Sequence, residues 1–310
     1  MSNPFFSRST AFQEGGRVAG SAPTQTPNGY PTMPGYQAGQ YGQQPNQYGQ
    51  SAGYGQVSPE QMAGLEAQYQ APSATNVDMR RMTYDDVIIR TAGMFAIILA
   101  TGAISWNLVT SIDEATLGLG VMAMLAGLVG SLILGLVNSF KRKPSPALIL
   151  AYAAFEGLLL GGFSGFMEAR YEGIVVQAVL ATLATFGAML AAYSYGGFRV
   201  QGRFRRVVVV ATLGYGIFCL INLGLSMTGA VGGAWGLRSM TIMGIPLGVP
   251  LGILAVILAS FFLAIDFESI ENGVRNGLPQ RYAWAGAFGL VVTIVWLYVE
   301  FLRLLSYFRD

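Results

Sequence analysis

The chain has 310 residues, 53% of them hydrophobic and only 11% charged, with a formal net charge of +2 and no histidine. A soluble domain carries roughly 25% charged residues, so the deficit points to a membrane protein. The lack of histidine excludes Ser-His-Asp triads, Cys-His dyads, two-histidine metal sites and histidine pH switches, and the single cysteine, Cys219, excludes an internal disulfide.

Residues 1–78 are low in complexity. A Tyr-Gly-Gln unit recurs at Tyr41-Gly42-Gln43, Tyr48-Gly49-Gln50 and Tyr54-Gly55-Gln56, amid Pro, Ser, Asn and Ala. Aliphatic residues are too few to offset the entropy of ordering, so this segment is predicted to be a disordered tail. No Lys or Arg lies between Arg17 and Arg80, which argues against a basic arm for nucleic acid. The stretch Met1–Gly20 is polar and reads as no signal peptide.

Residues 79–310 have a different character. Seven apolar spans are predicted: Thr91–Thr110, Leu117–Phe140, Ala147–Met167, Gly173–Tyr195, Val207–Met227, Ile245–Asp266 and Ala283–Leu305. Each is close to or above the ~20 residues that a helix needs to cross a ~30 Å hydrocarbon core. Barrel strands would be about half as long and would alternate. The predicted class is therefore all-α, a polytopic membrane bundle of seven helices.

Lys and Arg alternate in density between the connections. Arg80, Arg81, Arg90, Lys141, Arg142, Lys143, Arg199, Arg203, Arg205, Arg206, Arg275 and Arg281 fall on one side. Only Arg170, Arg238, Arg303 and Arg309 fall on the other. By the positive-inside rule this predicts a multi-pass cell-membrane protein with a cytoplasmic N-terminus and an outside C-terminus. Glycines recur every fourth residue at Gly157, Gly161 and Gly165, and again at Gly244, Gly248 and Gly252, which predicts close helix contacts. Pro246 and Pro250 interrupt the second series and predict a bend at the entry to the sixth span.

Three carboxylates lie inside or at the edge of these spans: Glu156, Asp266 and Glu300. A carboxylate at a lipid-facing helix centre costs about 2.5–3.5 kcal/mol on insertion scales, so such residues face the bundle interior and mark function. Glu156 is near the middle of the third span, with Tyr152, Ala153, Leu159 and Leu160 one turn away and no local cation. It is a candidate ion-pathway residue, or a protonated structural hydrogen-bonding group. Asp266 ends the sixth span and lacks the local partner that Glu271 has in Arg275. Glu300 has Arg303 three residues on, a local counter-cation that would leave it structural.

Enzymatic readings fare poorly. Gly162-Phe163-Ser164-Gly165 resembles the serine motif of rhomboid proteases, which needs a histidine base. Asp266 follows Leu263-Ala264-Ile265 rather than the Gly-x-Gly of presenilin-type proteases. The only lysines, Lys141 and Lys143, sit in a connection, not in a last helix where a retinal Schiff base would need one. The chain has no phosphate-binding glycine loop either. No enzymatic activity is expected.

The acids sit in a pattern that resembles the Bax inhibitor/YccA family. Phe155-Glu156-Gly157-Leu158-Leu159-Leu160-Gly161 is similar to its third-helix Glu-Gly stretch. Ile265-Asp266-Phe267-Glu268-Ser269-Ile270 resembles its "Y-D-T-x-x-I" motif with Ile265 for Tyr. Leu297-Tyr298-Val299-Glu300-Phe301 resembles "L-Y-L-D-F" with Glu300 for Asp.

The resemblance implies a pH-sensitive calcium leak. Asp266 and Glu300 would share a proton, close the path from the cytoplasmic side, and offer oxygen ligands to calcium. Lys141 and Arg303 are candidate counter-cations. The implied partners are the lipid bilayer, calcium and protons, with no cofactor beyond the transported ion. The two acids are 34 positions apart, so they meet only if the sixth helix runs on past Asp266 and the seventh starts below the membrane plane. A proton-coupled transporter built on Glu156 and a non-transporting scaffold are the competing readings.

Overall fold

Among the described residues, seven helices account for nearly all of the regular structure: α1 (Tyr84–Val109), α2 (Glu114–Phe140), α3 (Pro146–Arg170), α4 (Ile174–Ser194), α5 (Gly202–Met227), α6 (Gly248–Arg275) and α7 (Ala283–Tyr307). All seven are long and apolar enough to cross a membrane. The computed structural model describes residues 80–232, 235–242 and 244–309. The disorder expected for residues 1–78 falls outside these.

The spans fall where they were predicted, but several ends move outward. α1 starts at Tyr84 because Thr83 and Asp86 form a reciprocal capping box, which ends the helix with satisfied amides before the apolar run begins. α5 starts at Gly202 and takes Arg203, Arg205 and Arg206 into its first turns. The sixth helix departs most from its expected bounds of Ile245–Asp266. Ile245–Pro246 instead pairs with Thr241–Ile242 in a two-stranded ladder (β1, Thr241–Ile242; β2, Ile245–Pro246). The helix then begins at Gly248, with Pro250 in the first turn, where its missing N–H leaves no bond unmade.

At its other end α6 continues nine residues past Asp266 to Arg275. A Schellman motif stops it: Leu278 N donates to Gly273 O at 3.1 Å and Gly277 N to Val274 O at 3.0 Å, with Gly277 at φ 61°. The turn that follows is fastened to the entry of α1. Met82 N donates to Leu278 O at 2.7 Å and Gln280 N to Arg80 O at 2.9 Å.

α7 is the central helix. In its most apolar stretch 67% of residues are buried, against 17% in α2, α4 and α5. It packs against α1, α3, α4 and α6. α3 lies between α1 and α2, and glycine permits both contacts. A Cβ on Gly161 would fall on the backbone of Gly102 in α1, and one on Gly127 of α2 would fall on the α3 backbone at Phe155 and Leu159. The stripe Gly157, Gly161, Gly165 faces α1 along its length. In the second stripe, Gly248 and Gly252 lie against Tyr307 and Leu304 of α7. A buried core of Met82, Val87, Met94, Ile98, Tyr152, Phe288 and Val291 joins α1, α3 and α7, with Tyr152 edge-on to Phe288 at 5.0 Å.

Candidate functional site

Successive spanning helices reverse direction. The start of α1, residues 141–145, residues 195–201 and the α6–α7 turn therefore share one face. The α5–α6 connection and the end of α7 lie at the other. The buried acids are distributed between these two levels.

Asp266 lies in α6, 5% exposed, between apolar neighbours. Thr293 Oγ1 of α7 donates to Asp266 Oδ2 at 2.6 Å and also approaches Gly289 O at 3.1 Å. Among the described residues no cation stands within ion-pair distance of Asp266. Arg205, in the first turn of α5, instead lies 3.7 Å from Glu268.

That corner of the bundle is closed by charge. Glu271 accepts from Tyr193 of α4 and from Arg199 of the α4–α5 connection at 3.1 Å, and pairs with Arg275 at 3.6 Å. Gln201 Nε2 donates to Glu268 at 3.5 Å. The Glu271–Arg275 pair read from the sequence is present.

Glu300 is buried at a different level. Tyr215 Oη of α5 donates to its Oε1 at 2.5 Å, Arg303 Nη1 donates to the same oxygen at 2.8 Å, and Arg238 Nη1 stands 3.6 Å from Oε2. Arg238 comes from a short 3-10 helix, Gly236–Ser239, in the α5–α6 connection, and is only 2% exposed. Its Nη2 donates to Tyr215 Oη at 2.7 Å and to Cys219 Sγ at 2.9 Å, and its guanidinium lies over the rings of Tyr215 and Phe218. Burial disfavours its charge, but Tyr215, Glu300 and Cys219 outweigh that and hold its pKa above the ordinary arginine value. The connection is pinned to α5 through Asn222, which accepts from Leu237 N at 2.7 Å and donates to Trp235 O at 3.2 Å.

The expected Asp266–Glu300 pair is therefore not made. α6 runs nine residues beyond Asp266, and the returning helix reaches the level of Asp266 only at Thr293. Glu300 is seven residues further, about 10 Å along the axis. The condition read from the sequence is half met: α6 does continue past Asp266, but α7 starts too close to that same level for Glu300 to come alongside. The calcium ligand pair Asp266 and Glu300 is likewise not assembled, and no cluster of three or more His, Cys, Asp or Glu side chains exists among the described residues. Lys141 is not the counter-cation. It is the exposed C-cap of α2, a helix that packs on α1 and α3. Arg303 does neutralise Glu300, as its spacing suggested.

Glu156 is buried in α3, near Ser131 of α2 and Tyr152 of its own helix, both uncharged. Thr293, Tyr215 and Arg238 were missed in the sequence. Their only signals were a polar atom inside an apolar span and a lone arginine in a glycine-rich connection.

Seven membrane-crossing helices, of which α7 is the most buried, with carboxylates turned inward, define a polytopic integral membrane protein. The family described as Bax inhibitor 1 like matches residues 3–310, and the chain belongs to it. No curated protein matches the chain.

Proposed function

We propose that this protein is a pH-sensitive leak for calcium across the cell membrane, with its N-terminus in the cytoplasm. The observation that supports the reading best is Asp266: a carboxylate buried between α6 and the central helix, hydrogen-bonded to a hydroxyl and unmatched by a nearby cation. Its proton sets whether the α6–α7 interior carries a charge. A bare carboxylate attracts a divalent cation and supplies the oxygen ligand that calcium takes. The protonated acid offers neither the charge nor the same ligand. In this reading Asp266 acts without Glu300, whose charge Arg303 and Arg238 together outweigh.

Glu156 is the second acid of the path. Its neutral neighbours favour one competing reading, a proton-coupled transporter in which Glu156 carries the proton. Calcium flux into liposomes holding the purified full chain, from about pH 5 to about pH 8, tests the proposal. Flux should rise with pH in the wild type and lose that dependence in Asp266→Asn. No flux at any pH, or an unaltered profile in Asp266→Asn, overturns it. Flux coupled to a proton gradient and abolished only by Glu156→Gln would favour the transporter.

A further inference from the structure

The Glu300 cluster has an imbalance that a structural ion pair does not need. Two guanidinium groups, Arg238 and Arg303, face one carboxylate. Arg303 alone satisfies the local charge at 2.8 Å, from the next turn of the same helix. Arg238 is brought in from a connection outside the helices and buried almost completely, at a desolvation cost that one helix-borne arginine had already made unnecessary. Yet its contact with the acid is loose. Arg238 Nη1 and Glu300 Oε2 are both buried, lack any hydrogen bond and stand 3.6 Å apart.

We propose that Arg238 is a tethered cation seated on Glu300, which keeps divalent cations off that carboxylate at the end of the path remote from Asp266. The inference rests on the calcium-leak reading. With Arg238 in place the cluster carries one net positive charge and repels an incoming cation. With Arg238 withdrawn the cluster is neutral, and Glu300 Oε2 becomes a free oxygen ligand beside Tyr215 Oη. The seat has the precision of a binding site: Tyr215 relays a hydrogen bond from Arg238 to Glu300, and two aromatic rings cover the guanidinium. Gly236, at φ 60°, is what lets the connection descend there, since a Cβ would strike Asn222 and Ser226.

The chain carries its own reporter. Cys219 is the only cysteine and its sulfur lies 2.9 Å from Arg238 Nη2. Modification of Cys219 by a water-soluble maleimide, on the full chain in nanodiscs, reads whether the seat is occupied. Calcium flux in liposomes reads the consequence.

Arg238→Ala should label faster than wild type and conduct about tenfold more, the scale of losing one partly screened like charge. Arg238→Lys, which keeps the charge, should return flux toward wild type. Glu300→Gln should also speed labelling, because the seat is lost, but should not raise flux, because the ligand is lost with it. An arginine that merely held the connection would give the same flux change in both. The inference is overturned if Arg238→Ala, monodisperse and labelled faster, conducts no more than a wild type whose flux still depends on Asp266. Absence of flux in wild type and Arg238→Ala alike overturns the leak reading itself, and the inference with it.

Discussion

Thr293 Oγ1 reaches Asp266 Oδ2 at 2.6 Å, which places Thr293 of α7 level with Asp266 of α6. The partner of Asp266 at that level of α7 is Thr293, not the second acid of the resembled motif, and Glu300 lies two turns away. Thr293→Val keeps the shape but removes the donor. The variant should lose about 1–3 kcal/mol, the cost of a buried acceptor left unmet. Thermal unfolding in detergent measures it, and a wild-type midpoint would show that the bond adds no stability.

Tyr215 bridges α5 to α7 by donating to Glu300 while accepting from Arg238. Tyr215→Phe and Glu300→Gln should therefore be non-additive. In a double-mutant cycle on unfolding, the pair should show a coupling of about 0.5–3 kcal/mol. Strict additivity would mean that the hydroxyl and the carboxylate act independently.

Glycine is demanded at some positions and tolerated at others. Gly161→Ala places a Cβ on the backbone of Gly102, which has no side chain to swing aside, and should cost about 1–3 kcal/mol. Gly187→Ala, in α4 with no atom within 4 Å of the new methyl, should be neutral or slightly stabilising. Equal melting temperatures for the two variants would contradict the close α1–α3 contact.

Asp113 caps α2 outside the membrane. Hydrogen bonds from Thr116, first its hydroxyl and then its backbone N–H, hold the carboxyl below the usual aspartate range. A pKa lowered in the folded state gives stability that is present above the unfolded value and fades as pH falls through the folded one. Amide exchange at the start of α2 should accordingly quicken in acid. Asp113→Asn still accepts from Thr116 N, so its exchange should show no such acid step once the intrinsic pH dependence is removed.

The spans were legible because lipid forces every apolar run of sufficient length into a helix, whatever its neighbours. Their ends were less so. Thr83 and Asp86 spell a capping box, but they precede the apolar run that marked the span. The extension of α6 to Arg275 is held by contacts with α4 and the α4–α5 connection, through Tyr193, Arg199 and Gln201, which no local pattern announces. The acids themselves stood out, since charge in an apolar run is rare. Their partners did not. Asp266 meets Thr293 and Glu300 meets Arg238 only because of how long α6 runs and where an irregular connection descends. Arg303 was found because three residues along a helix is a distance that sequence encodes.

The stitch between Arg80, Met82 and the α6–α7 turn has a mechanical meaning. The backbone at Arg80 and Met82 shares its hydrogen bonds with Leu278 and Gln280, the residues where α6 ends and the chain turns into α7. A pull on Arg80 is thus not borne by α1 alone. It is delivered, through two short bonds, to the corner from which the Asp266–Thr293 contact is levered. Strain at Arg80 is thus shared between the start of α1 and the end of α6.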